Sequence, residues 1–314
     1  MNVFEGAQLD MFEDALIEPR ATSGIVWSYS RRQVLEQCPR RYYYQYYGSV
    51  ANKAKGETQK ETLKFLKTLS NRYMWAGKIL HSLIRQYLLG LQRGEHQRLE
   101  SLLNQAKATY HTGPNNSLAS KQGRQRMGLL EFYYGLGDAE RLCAECEERL
   151  LVALSNFATG SAFAPFVRGG AQPEARIEEH AKLETGHSRA SGRIDLSYVE
   201  GSRVVIVDWK LGGPGNADES LQLSFYALWG VQAYHCSCQD ISLYRAHLCD
   251  DLIAPFPISE NTLRRTRTRI LQDLERMQAL DEYGKNAVVE AFSPCSQHLV
   301  CALCPFQAVC PKEP

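Results

Sequence analysis

Two short segments carry the most chemistry in this chain, Gly192-Arg193-Ile194-Asp195 and Val207-Asp208-Trp209-Lys210. Between them lies Glu200-Gly201-Ser202, which suits a tight turn, so the stretch reads as a β-hairpin. Centring the turn between Gly201 and Ser202 sets Asp195 opposite Asp208, and strand alternation puts Lys210 on the face of Asp208. Two facing carboxylates repel unless something positive lies between them. A hard divalent cation such as Mg²⁺ takes oxygen ligands and would satisfy both. A lysine two residues along could then orient or deprotonate water, or balance charge growing on a phosphate. The alternative is a salt-bridged hairpin in which Lys210 merely neutralises Asp208.

Cysteines form the second group. Of ten, Cys295, Cys301, Cys304 and Cys310 crowd the C-terminal end, whereas Cys38 lies near the other. Short regular gaps point to metal ligation before bridging. Cys301-x₂-Cys304-x₅-Cys310 supplies three thiolates, and tetrahedral zinc and cubane iron–sulfur clusters both want four. Cys38, Cys295, Cys143 and Cys146 are all candidates for the fourth. Pairing Cys143-x₂-Cys146 with Cys301-x₂-Cys304 as a zinc site is a rival arrangement, although small buried thiols are common in helices of that kind.

The elements that must position these residues follow from periodicity and breakers. A helix is expected to begin at Ser30, with Gln33 completing a capping box, and to stop near Cys38 ahead of Pro39. A second runs from Arg40 to Tyr47. Helical spacing covers 57–93, Gly113-Pro114 breaks the next helix, and a further block covers 122–156. The region of about 95–160 thus reads as a helical insertion. Strands are expected over 174–184, 191–199, 203–210 and 241–247, and helices over 219–234 and 261–280, the last capped by Asn261 or Thr262. Residues 1–24 read as a flexible tail and 25–314 as the folded domain.

At this point the residues resemble a known family. Gly192-x-x-Asp195 followed by Asp208-x-Lys210 resembles the core of the PD-(D/E)XK nucleases, in the RecB-like and AddB-like exonuclease branch. Cys38-Pro39-Arg40-Arg41-Tyr42, Gly77-Lys78-Ile79-Leu80-His81 and Gln222-x-x-x-Tyr226 are similar to further motifs of that branch in the same order. The resemblance implies an α/β fold, a mixed sheet flanked by helices, and hydrolysis of DNA phosphodiesters at strand ends with Mg²⁺ or Mn²⁺. It implies that Asp195, Asp208, His81 and the Trp209 carbonyl hold metal, that Lys210 activates water, and that Gln222 and Tyr226 contact the strand or brace the site. An acidic residue on the preceding strand completes such sites, and Glu178 is preferred over Glu174 and Glu179. It further implies a [4Fe–4S] cluster on Cys38, Cys301, Cys304 and Cys310, clasping the chain ends together. Left to themselves, His81, Gln222 and Tyr226 would read as ordinary helix-packing residues.

Several features point to partners. Arg264, Arg265, Arg267 and Arg269 make a basic run, and Arg40 and Arg41 adjoin a tyrosine-rich segment. Arginine binds phosphate, so Arg40, Arg41, Arg264 and Arg265 are candidate DNA contacts. Gln8, Leu9, Met11 and Phe12 resemble the short motif by which bacterial proteins dock on the replication sliding clamp. Thirty-six basic and thirty-five acidic residues give a net charge of +1, so any nucleic-acid binding must be local. No apolar run is long enough to span a bilayer, and the first residues lack a secretory pattern, which makes a cytoplasmic location the expectation. No P-loop motif occurs, so a DNA-unwinding motor would have to be a separate helicase. A catalytically inactive iron–sulfur DNA-binding subunit is the competing reading of the whole.

Overall fold

A computed structural model describes residues 25–48, 57–121, 128–185, 188–212, 220–284 and 288–310. The clamp-like residues Gln8, Leu9, Met11 and Phe12 lie outside them. The elements in order are β1 (Val26–Trp27), α1 (Tyr29–Gln37), α2 (Pro39–Tyr43, continued by a π turn over Tyr44–Gly48), α3 (Glu57–Thr68), α4 (Arg72–Gln92) and α5 (Leu99–Lys121). There follow α6 (Leu130–Tyr134), α7 (Ala139–Thr159), α8 (Ala164–Gly170), β2 (Arg176–Thr185), β3 (Ser188–Glu200) and β4 (Arg203–Lys210). The last are α9 (Ser220–Tyr234), β5 (Ile241–His247), β6 (Leu252–Phe256), α10 (Glu260–Gly284) and α11 (His298–Ala302).

The six strands among the described residues form one mixed sheet in the order β1-β3-β4-β5-β6, with β2 on the other edge of β3. Pairings β2–β3, β3–β4 and β5–β6 are antiparallel, whereas β1–β3 and β4–β5 are parallel. Two helical layers cover it. Leu223, Phe225, Ile270 and Met277 from α9 and α10 bury one face against Ile194, Val204 and Ile206. On the other face, Leu83, Leu102, Leu150 and Phe157 from α4, α5 and α7 pack on Leu196, Val205, Val207 and Trp209. β4 therefore reads as a continuous apolar run because both of its faces are covered. The α5–α7 region expected as an insertion supplies much of this second layer. Among the described residues, no single helix is long and apolar enough to cross a membrane.

One feature of the sheet creates the site. β3 keeps β2 along one edge but changes partner on the other: Leu196–Glu200 pair with β4, and Arg189–Ala190 pair with β1. The sheet is open between those two pairings, over residues 191–195. Ile194 packs on one helical layer and Leu196 on the other, so Asp195 lies where the strand changes faces.

Several boundaries differ from expectation for local reasons. Ser28, not Ser30, caps α1 by accepting the Arg31 N–H, and Ser259 caps α10 by accepting the Thr262 N–H. The expected block 122–156 is divided by Gly135, whose left-handed backbone ends α6. The stretch 57–93 is likewise two helices. The break expected at Gly113-Pro114 is absent, since α5 continues past Pro114 to Lys121. Proline lacks the N–H that would bond the carbonyl four residues back. That carbonyl, on Tyr110, instead accepts the Trp75 indole N–H at 3.0 Å. Gly113 makes room for the ring, for a Cβ there would sit 2.7 Å from Trp75 Nε1. Strands β1 and β6 had no expected counterpart.

Candidate active site

The hairpin register matches the sequence expectation: Leu196 pairs with Val207 and Glu200 with Arg203. On the other side, Ile177 pairs with Leu196 and Glu179 with Ile194, which puts Glu178 level with Asp195. β5 then places Arg245 beside Asp208. Glu178, Asp195, Asp208 and Arg245 thus form one row across four strands, at the opening in the sheet.

The ladder between β3 and β4 ends just before Asp195. There the carboxylate takes over the bonding, and Asp195 Oδ2 accepts the Trp209 N–H at 2.7 Å. Asp195 Oδ1 and Glu178 Oε1 each lie 3.2 Å from His81 Nδ1, which reaches in from α4. The backbone of Glu178 is left-handed at φ 54, a costly conformation for a side chain with a Cβ. Such strain persists where surrounding structure over-determines it, and here it accompanies a carboxylate aimed at the site.

Among the described residues, His81, Glu178 and Asp195 are the one group whose ligand atoms converge closely enough for a metal ion, all within 4.8 Å of one another. Burial alone would lower the His81 imidazole, but the Asp195 and Glu178 carboxylates outweigh it and hold His81 well above its usual range. The imidazolium thus neutralises the two carboxylates from within, as a cation would. Two hard oxygen donors and one nitrogen fit a divalent ion such as Mg²⁺ or Mn²⁺, which would take the imidazole once its proton has left.

Asp208, expected as a facing ligand, stands outside that group. Its Oδ2 lies 3.1 Å from Lys210 Nζ and 3.6 Å from Arg245 Nε, and its side chain is 1% exposed. Desolvation raises Asp208 above the ordinary carboxylate range, and the charge of Asp195 adds to this against Lys210. Trp209 brings its N–H to Asp195, while its ring is buried against Phe157 and Phe166.

The other expected residues come from the opposite helical layer. Gln222 on α9 accepts from Lys210 Nζ at 3.2 Å and donates to the Tyr226 hydroxyl at 2.6 Å. Burial, with the charges of Asp208 and Asp195, holds Tyr226 well above its usual range, so it stays a neutral phenol. These two residues brace Lys210. Gly192 permits this arrangement, because a Cβ there would lie 2.6 Å from Phe225 on the same helix.

Sequence reasoning missed two cations here. Arg245 faces Asp208, and Arg193, half exposed, lies 3.8 Å from Glu178 Oε2. Arg193 sits inside the Gly192-x-x-Asp195 motif. Arg245 could have been suspected as a lone charge within an apolar strand.

A profile of the PD-(D/E)XK nuclease superfamily matches residues 26–311. The chain belongs to the PD-(D/E)XK nuclease superfamily. Its mixed sheet between helical layers is consistent with that fold. Similar solved structures include a "Putative exonuclease" from Eubacterium rectale, at 13% identity and TM-score 0.40, over 91% of this chain and 93% of that one. SSO0001 is similar at 18% identity and TM-score 0.27, over 55% of this chain and 79% of its own. A search of curated proteins returned no match. Membership supports nuclease activity, and PD-(D/E)XK nucleases typically use divalent metals, for which the His81 group is an acidic candidate site.

A second set of ligand-type residues gathers where the chain ends meet. Cys38, Cys301, Cys304 and Cys310 line a cavity of about 50 Å³, together with Cys295, another candidate for the fourth ligand. The ends are tied there by Tyr44 Oη donating to the Val309 carbonyl at 3.0 Å and Arg40 Nε donating to the Phe292 carbonyl at 2.9 Å. Arg40, expected on DNA, is thus buried and structural. Cys143 and Cys146 lie in the opposite helical layer, so the structure does not bring them to Cys301 and Cys304. Arg264 and Arg265 are exposed on α10, whose buried stripe is Leu263, Ile270, Leu274 and Met277.

Proposed function

We propose that this protein is a metal-dependent DNA exonuclease of the RecB-like and AddB-like branch, hydrolysing phosphodiester bonds at DNA ends, preferentially single-stranded. The observation that carries the reading is the convergence of His81, Glu178 and Asp195 beside a braced Lys210. These three, with Asp208 and the Trp209 carbonyl at the margin, would hold Mg²⁺ or Mn²⁺. A bound ion of that kind supplies Lewis acidity, lowering the pKa of water and neutralising phosphate charge. Lys210 positions the attacking water and balances charge on the phosphate oxygens. Gln222 keeps the ammonium in place, and Tyr226 keeps Gln222 in place. Asp208, with Arg245 behind it, fixes the strand from which Lys210 projects.

The same reading divides the chain into a tail over 1–24 and a nuclease domain over 25–314 with a helical insertion near 95–160. It places a [4Fe–4S] cluster on Cys38, Cys301, Cys304 and Cys310. A cubane presents a separate iron to each thiolate, so a cavity ringed by cysteines from both chain ends suits it. Arg41, Arg264 and Arg265 would meet DNA phosphates, and the tail would dock on a sliding clamp. A separate helicase would supply strands, in cytoplasmic repair, replication or defence.

End-labelled single- and double-stranded DNA incubated with Mg²⁺ or Mn²⁺ tests the activity. Stepwise shortening that disappears in Asp195→Asn and Lys210→Ala is expected, and cleavage that persists in both would refute the site. The engagement of Asp208 by two cations favours a second reading, an inactive DNA-binding subunit with an iron–sulfur cluster. Binding without cleavage in the same assay would establish it.

A further inference from the structure

A cleft of about 360 Å³ opens between α1, the α2 turn, α3, α4 and the loop after α11. Its charge is one-sided. Arg41, Lys67 and Lys78 line it, and no carboxylate does among the described residues. The Nε–H of Arg41 is buried and has no hydrogen-bond partner among the described residues. Lys78 is steadied by its bond to Ser70 Oγ at 3.1 Å. Lys78 also sits one helical turn before His81 on α4, a spacing that leaves the two side chains as neighbours, about 5–6 Å apart at Cβ. The α4 wall of the cleft thus ends one helical turn short of His81.

Its other surface is apolar. Tyr46 lines it with Arg31 stacked over its ring at 4.4 Å, and Met74 beside it is 47% exposed. Cations together with an aromatic wall are the combination that holds an unpaired nucleotide, phosphate on one side and base on the other. The volume lies within the range of small-ligand sites. A duplex, whose bases are already stacked and paired, has no free base to offer.

We propose that this cleft seats one unpaired nucleotide of the substrate strand, its phosphate on Arg41, Lys67 and Lys78 and its base against Tyr46 and Met74. The inference rests on the nuclease reading and deepens it by assigning the strand preference to a place. Arg41 lines both this cleft and the cysteine cavity, and Leu303 and Pro305 from the cysteine loop form part of the wall. The strand path is thereby built partly by the segment that joins the chain ends.

The test is binding of a fluorescein-labelled oligothymidylate of about twelve nucleotides to the full chain in EDTA, followed by anisotropy over a salt series. Lys67→Ala/Lys78→Ala is expected to weaken binding about tenfold or more. It should also reduce the slope of log affinity against log salt by about 1.4, near 0.7 for each lost phosphate contact on a single strand. Tyr46→Ala is expected to weaken binding about tenfold with the slope unchanged, since stacking releases no counterions. A blunt duplex should bind weakly and ignore all three changes. Lys67→Gln, a milder change, keeps the test available should the double variant fail to fold. Unchanged affinity and slope in a folded variant, or equal losses on duplex, would overturn the cleft. If the wild type cuts DNA with Mn²⁺ while its binding ignores these substitutions, the cleft is wrong and the nuclease reading stands.

Discussion

Two gatherings of ligand-type side chains stand out among the described residues, and they are kept in place by opposite means. At the opening in the sheet, Glu178, Asp195 and Asp208 are acidic groups crowded together, and His81, Lys210, Arg193 and Arg245 lie against them. In the cysteine cavity the groups are thiols, and burial pushes Cys304 up to about 11, so it is uncharged near neutral pH. The first site is assembled by its own internal cations before any ion arrives. The second is assembled by packing and by hydrogen bonds between the chain ends, and any ion bound there would first have to displace protons from its thiols. Removing a carboxylate from the first should therefore cost activity more than stability, whereas removing a thiol from the second should cost stability.

The largest effect is expected from Asp195→Asn. It should lower the rate of end hydrolysis by about 10³-fold or more while leaving the melting temperature nearly unchanged, measured by cleavage kinetics and thermal denaturation in parallel. A large fall in melting temperature would show that the acid group is structural after all. Cys304→Ser should do the reverse, removing bound iron and sulfide and lowering the melting temperature by about 5 °C or more. Elemental analysis and calorimetry on the purified protein check this, and iron retained in full would remove Cys304 from the ligand set. Gln222→Ala should reduce the turnover rate about tenfold with KM unchanged, because it frees Lys210 without touching the strand. A change confined to KM would move Gln222 into substrate contact.

The smallest effect concerns Cys143, a buried thiol assigned to neither gathering. Burial pushes it up to about 11 from 9.0, and the negative charge of Glu131 adds to this. The unfolded chain releases this proton first, so folding stability should decline as pH climbs from 9.0 through about 11. Cys143→Ala should lose less stability over that window than the wild type, read from denaturant midpoints. Equal losses would mean that other groups, such as the tyrosines, set the alkaline limit.

What the sequence made legible was local. The β-branched run and the turn at Gly201 fix the hairpin register, so the placement of Asp195 level with Asp208 could be read directly. Glu178 was preferred only by resemblance to a family, and the structure brings it to His81. What could not be read was tertiary. β4 and β5 are parallel and separated by a helix, so nothing nearby sets their register or reveals that Arg245 meets Asp208. The short strands β1 and β6 owe their existence to the edges they join. Arg40 looked like a phosphate contact because its carbonyl partner, Phe292, is remote in sequence. The caps at Ser28 and Ser259 were each missed by a few residues, as equally suitable side chains stood nearby.

The proline in α5 shows how such remoteness can be put to use. By withholding one donor, Pro114 leaves the Tyr110 carbonyl in need of another, and the indole of Trp75 supplies it at a socket that Gly113 keeps open. That single bolt adds a directional tie between α4 and α5 to the apolar packing they share. His81 stands less than two turns further along α4, so this joint and the imidazole share one short stretch of helix. Pro114→Ala would give the carbonyl a second and nearer donor, so the indole would share an acceptor that it now holds without helical competition.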